Sequence, residues 1–430
     1  MINDAKPAFK PIAAAGVLKK LLADHFYALD RAAKERTAKV AWCTSVGPVE
    51  LLRAMGFEVY FPENHGAMLG ASRMSTDLIP AANAVGYSPE VCSYMTSDIG
   101  SFIRKQTPLQ KAYKGIEGVP RADVLVYNTN QCGDVKDWLA FYGRQWGAPV
   151  VGVETYRNVG PVTDAHVAGI AGQLQAMVPA LEAAAGAKLD PERLRETLRL
   201  SRRCSELWRE VLETAAHAPA PLTFFDGTIH MAPAVVLRGT QAAVDYYETL
   251  LSELRRRVRD GVPAVDGERF RLYWDGMPVW GKLRDLSALF LELRAAVVAS
   301  TYCNSWIFSQ LDPDKPWESM ARAYTELFIV RDSGYKEDHI GRMLELYHCD
   351  GIVFHDSKTC PNNTNSRYGL PQRLRKRTGV PFVVIHGDLN DLRCYSEEQS
   401  RTQLEAFIEQ LQDRKSSPST DYSPPRGGGE

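Results

Sequence analysis

Ala122-Asp123-Val124-Leu125-Val126-Tyr127-Asn128-Thr129-Asn130-Gln131-Cys132 reads as a short apolar strand that runs out into polar turn residues and a thiol. A second stretch, Cys349-Asp350-Gly351-Ile352-Val353-Phe354-His355-Asp356-Ser357-Lys358-Thr359-Cys360, has the same form. Counted back from the closing cysteine, Tyr127 aligns with His355, Asn128 with Asp356 and Thr129 with Ser357. Each thiol is followed by a polar segment and then a proline-led apolar run, Pro149-Val150-Val151 in one case and Pro381-Phe382-Val383-Val384 in the other. Short apolar runs set between helical stretches are the pattern of buried parallel strands. Two α/β lobes are therefore expected, each offering a cysteine from the carboxyl edge of its sheet to a common cleft. A shared metal or cluster site is the chemistry such a pair of thiols points to.

Working outward, residues 1–36 read as a helical lead-in, with Leu18, Leu21, Leu22 and Phe26 at helical spacing. Residues 37–165 form the first α/β lobe: a strand at Ala38–Trp42, a turn through Gly47 and Pro48, a helix from Val49 to Met55, and strands at Glu58–Phe61, Val124–Tyr127 and Val150–Val153. Residues 166–262 are helical. Asp190 before Pro191 is an N-cap with proline at the first helical position, and Leu194, Leu198, Leu207, Val211 and Leu212 mark one apolar face, with Cys204 a small core side chain in the same helix. Residues 263–414 repeat the sheet pattern as the second α/β lobe, with strands at Phe270–Trp274, Ala296–Tyr302, Ile352–His355 and Phe382–Ile385. Residues 415–430 are read as a disordered tail, because Ser, Pro and Gly in that density bury too little surface to offset ordering entropy.

At 430 residues the chain is long enough for two or three domains. Lys+Arg 51 against Asp+Glu 52 leaves a net charge of −1, which gives no electrostatic case for nucleic acid or a membrane surface as partner. No stretch approaches the ~20 apolar residues that span a bilayer. Pro11 to Leu18 is too short for a signal peptide. Eight cysteines without a CxxC spacing indicate neither a disulfide framework nor a zinc ribbon, so a cytoplasmic protein with reduced thiols is expected. There is no GxxxxGK[ST] and no GxGxxG after a strand, so any ATP dependence would come from a partner.

Ligands of open parallel sheets bind beyond the carboxyl ends of the strands. Cys43, Cys132, Cys303 and Cys360 fall at or past such ends, whereas Cys349 lies at the opposite edge and Cys394 in a late loop, where both look structural. Cys92, three residues after Pro89, is expected near a helix amino terminus, where the backbone dipole favours thiolate over thiol. Three thiolates from separate loops suit iron–sulfur ligation and would leave one iron open to substrate or solvent. Ordinary buried thiols and a zinc site are the alternatives. Ser45, Glu63, His65, His355, Asp356 and His386 occupy the same edge. A histidine or a desolvated glutamate there can relay protons near neutral pH, although turn and cap hydrogen bonds are the plainer use of each. The basic run Arg373-Leu374-Arg375-Lys376-Arg377 could hold phosphates or form a solvated helix face.

The stretch Trp42-Cys43-Thr44-Ser45-Val46-Gly47-Pro48-Val49-Glu50-Leu51-Leu52, the step Phe61-Pro62-Glu63-Asn64, and the placement of Cys92, Cys132 and Cys360 resemble the 2-hydroxyacyl-CoA dehydratase and benzoyl-CoA reductase family. The likeness extends over both lobes, residues 37–412. Tyr302-Cys303-Asn304-Ser305-Trp306 and Asp356-Ser357-Lys358-Thr359-Cys360-Pro361-Asn362-Asn363 are most similar to the B-type subunits of the ATP-dependent benzoyl-CoA reductases.

The resemblance implies two flavodoxin-like (Rossmann-like) parallel-sheet lobes with a helical segment between them. It implies a [4Fe–4S] cluster on Cys92, Cys132 and Cys360, its fourth iron position open or held by a non-protein ligand. It further implies a heterodimer with a homologous iron–sulfur subunit, and a separate ATP-hydrolysing iron–sulfur component, with ferredoxin behind it, that delivers single electrons. The reductase branch dearomatises benzoyl-CoA to a cyclohexadiene-carbonyl-CoA in anaerobic aromatic compound catabolism. In the dehydratase branch the same electron forms a ketyl radical and water is eliminated. The family's catalytic serine and glutamate map onto Ser45 and Glu63. Ser45 would hold the substrate thioester or a cluster ligand, and Glu63, with His65 or His355 behind it, would deliver protons. The extra edge cysteines depart from the pattern, because either Cys43 or Cys303 could replace Cys92 as third ligand. From a different class comes a two-lobed ligand-binding module in which every cysteine is a core thiol.

Overall fold

The computed structural model describes residues 10–416. In the first lobe β1 (Val40–Cys43), β2 (Glu58–Tyr60), β3 (Val124–Asn128) and β4 (Val150–Val153) form a parallel sheet in the order β2-β1-β3-β4. In the second, β5 (Phe270–Asp275), β6 (Ala295–Ser300), β7 (Gly351–Ser357) and β8 (Phe382–Gly387) form another in the order β6-β5-β7-β8. Both lobes are thus flavodoxin-like. Each winds outward on one side, then reverses, between β1 and β3 in one lobe and between β5 and β7 in the other; that reversal is where such sheets bind ligands. Every residue of β1, β5 and β6 is buried, which explains the apolar runs Val40–Cys43, Leu272–Trp274 and Ala295–Ala299 within them, with Arg271 and Asp275 as buried charged exceptions in β5.

Strand ends depart from the sequence reading in both directions. β3 and β7 run past their apolar residues because pairing continues, Asn128 opposite Val153 and Ser357 opposite Gly387. The loops leading to Cys132 and Cys360 are correspondingly shorter than expected. The strand expected to reach Tyr302 instead stops at Ser300, whose side chain accepts the Cys303 N–H at 3.1 Å and caps a short helix, Thr301–Asn304.

Helices fill the segment between the lobes. Asp190 accepts the Glu192 N–H at 2.9 Å and Pro191 opens the helix Pro191–Glu213, whose stripe of Leu194, Leu198, Leu207 and Val211 is buried with Cys204. At roughly 1.5–3 kcal/mol per buried apolar side chain, this one face is ample to anchor the segment. The basic run lies on the helix Leu370–Thr378, where Arg373 pairs with Glu337 at 2.5 Å and Arg377 with Asp338, as a solvated face does. The last helix, Glu397–Ser416, takes in the first two residues assigned to the tail; residues 417–430 lie outside the described ones.

The lobes meet along the helix Pro62–Ala71, which lies against the turn Trp280–Lys282. Gly70 makes that approach possible, since a Cβ there would stand 2.7 Å from the Cβ of Trp280. Asn390 fastens the seam by donating to Gly66 O (2.8 Å) and Ser97 Oγ (3.0 Å).

Candidate active site

The loop after β1 is fixed before any ligand arrives. Thr44 Oγ1 accepts the Asn128 N–H at 3.0 Å, and a Cβ at Gly47 would come within 2.6 Å of Cys43 Sγ, so the turn needs glycine. The arrangement aims the Ser45 N–H at Glu63, in the first turn of the helix Pro62–Ala71, and both carboxylate oxygens accept it at 3.0 Å. Glu63 is half-buried, open on one side to a cavity. Burial pushes its carboxyl up to about 7 against the pull of the Ser45 and helix N–H groups.

Three sulfurs share that cavity of about 210 Å³: Cys92, Cys132 and Cys360 line it together with Ser45 and Glu63. Each arrives by the same local device. Cys92 caps the helix Ser93–Arg104, Cys132 precedes the helix Asp134–Trp146, and Cys360 caps the turn Pro361–Asn363. In each case a backbone N–H three residues on, from Met95, Val135 or Asn363, favours the charged sulfur, although neither Cys92 nor Cys360 closes a side-chain capping bond. Such N–H groups stabilise anionic sulfur and tune a cluster bound to it.

Burial dominates in the protein alone, however. It pushes the Cys132 and Cys360 thiols up to about 12, and it raises Cys92 as well, with its two sulfur neighbours opposing a third negative charge. In the protein alone, burial thus outweighs the helix-end preference for thiolate at Cys92. Among the described residues no three His, Cys, Asp or Glu side chains are gathered tightly enough for a single metal ion. The sulfurs that hold a four-iron cluster stand wider apart than ligands around one ion, and an all-cysteine donor set with N–H support fits such a group.

The remaining walls are apolar and aromatic, including Trp280, Tyr302, Trp306, Met231, Val235 and Ile329. Among the described residues no lysine, arginine or histidine lines the cavity; its charged walls are Glu63 and Asp134.

The other edge residues are placed elsewhere. Cys43 lies inside β1 and Cys303 in the short helix after β6; both are buried and neither lines the cavity. Cys204 and Cys349 are buried apart from it as well. His65 does not reach the cavity: its Nδ1 meets Asp98 at 2.5 Å and its Nε2 meets Thr107 Oγ1 at 2.7 Å, a closed structural network. His355 turns into the core of the second lobe, where Nδ1 donates to Met277 O at 2.6 Å and burial lowers its pKa. Asp356 is occupied by Arg367 at 2.6 Å, and His386 is largely exposed.

Sequence reasoning missed the wall supplied by the helical segment, where Met231 joins the helices Phe224–His230 and Ala232–Val236 and Val235 lies on the second of them. It also missed Arg238, fully buried, which reaches Ser45 O (3.5 Å) and Gly47 O (3.2 Å) and holds the serine loop from behind.

Two flavodoxin-like lobes that close three thiols and a half-buried glutamate into one cleft define a two-lobed α/β protein with a candidate site between its lobes. The chain belongs to the family described as 2-hydroxyglutaryl-CoA dehydratase, D-component, whose model matches residues 44–411. It is 27% identical over 408 residues to the (R)-2-hydroxyisocaproyl-CoA dehydratase alpha subunit of Clostridioides difficile, covering 93% of this chain and 96% of that protein. It is 28% identical over 390 residues to the (R)-phenyllactyl-CoA dehydratase alpha subunit of Clostridium sporogenes (89% and 92%). It is 27% identical over 381 residues to the B-type subunit of benzoyl-CoA reductase from Thauera aromatica (85% and 87%). Dehydratase and reductase relatives thus stand at the same distance, and the similarity does not favour the reductase branch that the loop sequences around Cys303 and Cys360 resemble. No helix among the described residues is long and apolar enough to cross a membrane.

Proposed function

We propose that this chain is the iron–sulfur catalytic subunit of a cytoplasmic, ATP-dependent benzoyl-CoA reductase. It would work as a heterodimer with a homologous iron–sulfur subunit and be fed by an ATP-hydrolysing, ferredoxin-reduced partner. The observation that carries this reading is the joint lining of one apolar cavity, with no cationic side chain among the described residues that line it, by Cys92, Cys132, Cys360 and Glu63. The three cysteines would hold a [4Fe–4S] cluster that, when bound, supplies single electrons at low potential. Net addition of two electrons and two protons converts the benzoyl ring to a cyclohexadiene. Glu63, with a carboxyl poised near neutrality, holds one of those protons at its Oε atoms, and the Ser45 hydroxyl orients the thioester carbonyl. The aromatic walls exclude water from the reacting ring.

A second reading, 2-hydroxyacyl-CoA dehydratase, is favoured by the dehydratase alpha subunits that match over 89–93% of the chain. Turnover of benzoyl-CoA and of 2-hydroxyisocaproyl-CoA by the assembled protein, with donor and ATP, separates the two. A dihydro product from benzoyl-CoA supports reduction; turnover of the hydroxyacyl ester alone transfers the assignment to dehydration. Under either reading 2-hydroxyglutaryl-CoA is expected to be a poor substrate, by roughly a hundredfold or more in kcat/KM, because its distal carboxylate would be buried without a cation.

A further inference from the structure

Two of the three cysteine loops come from different lobes, and one buried carboxylate joins them. Asp388 follows β8 and is fully buried. Its Oδ1 accepts from Ser93 Oγ and from the N–H groups of Asn390 and Asp391, both at 3.0 Å. Its Oδ2 accepts from Thr359 N at 2.8 Å and Thr359 Oγ1 at 2.6 Å. Thr359 Oγ1 in turn accepts the Ser93 N–H at 3.1 Å. Ser93 directly follows Cys92 and Thr359 directly precedes Cys360. The three residues therefore close a ring of hydrogen bonds between the neighbours of two cavity thiols. All five groups bonded to the carboxylate are uncharged donors, so the ring fixes backbone positions rather than neutralising a cation.

We infer that Asp388 is a positioning residue that sets the spacing of the Cys92 and Cys360 sulfurs, through Ser93 and Thr359, for the iron–sulfur group assigned above. The assignment rests on that cluster reading. Three features raise it above an ordinary loop contact. The ring crosses the lobe seam, so it couples the lobes' relative placement to the thiols. It acts on the residues next to the sulfurs, where a small displacement is not absorbed by intervening chain. And Cys92 is held on its other side too, its N–H donating to Asp134 Oδ2 at 3.0 Å, in the first turn after Cys132. Asp388 and Asp134 together thus tie the loops of all three cysteines into one frame. Partners of this kind around metal ligands typically govern retention of the metal.

The test uses the protein as it assembles in the cell, purified without oxygen, as wild type, Asp388→Asn and Thr359→Val. Asp388→Asn turns an amide N–H toward the Thr359 donors and opens the ring on the Cys360 side; Thr359→Val opens it by removing the hydroxyl alone, leaving the carboxylate and its bond from the Thr359 N–H in place. Each variant is expected to hold iron about 10–100-fold more weakly against a chelator than wild type, with an altered electron paramagnetic resonance spectrum of the reduced cluster that remains. A merely structural Asp388 would lower the unfolding temperature and leave the spectrum of the loaded fraction unchanged, and that result overturns the inference. So does Asp388→Asn protein that loads and retains iron as wild type does. Should that variant not fold, Thr359→Val decides by the same two readings. A wild type without iron and sulfide would instead overturn the cluster reading itself, and is told apart from the other outcomes by that control.

Discussion

Replacing Glu63 by glutamine is expected to lower turnover of the assembled protein by about 10²–10⁴-fold, the range for loss of a positioned acid or base, while iron, sulfide and fold are retained. The substitution keeps an acceptor for the Ser45 N–H, so the loop after β1 stays in place. What it removes is a proton that can be given up near neutrality. The sign of the pH dependence follows from the raised carboxyl. A donor must be protonated, and with a pKa of about 7 in the folded protein the donor form is present below that value and lost above it. The rate should therefore fall as pH rises through about 7, and the Glu63→Gln profile should lack that limb. Stability carries the same sign. Glu63 binds its proton more tightly folded than unfolded, where a glutamate titrates near ~4.3. Its contribution is thus full below that value and is lost as pH rises through about 7. Full turnover in Glu63→Gln would remove it from the chemistry.

The second large effect concerns the charges buried behind the serine loop. Arg238 and Glu50 are both fully buried. Glu50 accepts from Arg238 Nε at 2.9 Å, from Ser201 Oγ at 2.8 Å and from the Tyr324 hydroxyl. The Arg238 guanidinium also lies 4.7 Å from the centre of the Phe308 ring. Arg238→Met would leave Glu50 charged and unpaired in the core, and is expected to destabilise the protein by about 3–5 kcal/mol. Combining it with Glu50→Gln should recover a large part of that loss, because most of it is the stranded charge rather than the absent pair. Denaturant unfolding of the two single variants and the double variant measures this. A double variant no more stable than Arg238→Met would show that the guanidinium matters for its packing and its contacts to Ser45 O and Gly47 O instead.

The fold was largely legible in the sequence. β1 and β6 are buried throughout and so read as apolar runs, β5 does so over Leu272–Trp274, and the Asp190-Pro191 helix start announced itself. Strand ends were less legible, because pairing carries β7 through Asp356 and Ser357 whatever their polarity. At the site, the strand-edge rule picked out Ser45, Glu63, Cys132 and Cys360, which all line the cavity, Glu63 from the first turn of the helix after β2 and the others from loops past strand ends. The same rule overreached at His65 and His355. It locates a residue along the chain but not the direction of its side chain, and both rings turn into the core. Cys43 and Cys303 fail for the same reason. Asp388 and Arg238 were within reach of the sequence in different degrees. Asp388 stands at a strand's carboxyl edge and the rule would have found it. Arg238 comes from the helical segment and meets the serine loop only through the tertiary fold.

Everything proposed for the site turns on whether Cys92, Cys132 and Cys360 hold iron and sulfide. Iron and acid-labile sulfide per chain, determined on protein purified without oxygen, for wild type beside Cys132→Ser, address this most directly. Substantial iron and sulfide in comparable amounts are expected in wild type, with a marked loss of both in Cys132→Ser. Little of either in wild type purified with its partner protein would contradict the cluster, and would leave a two-lobed binding protein whose thiols are simply part of its walls.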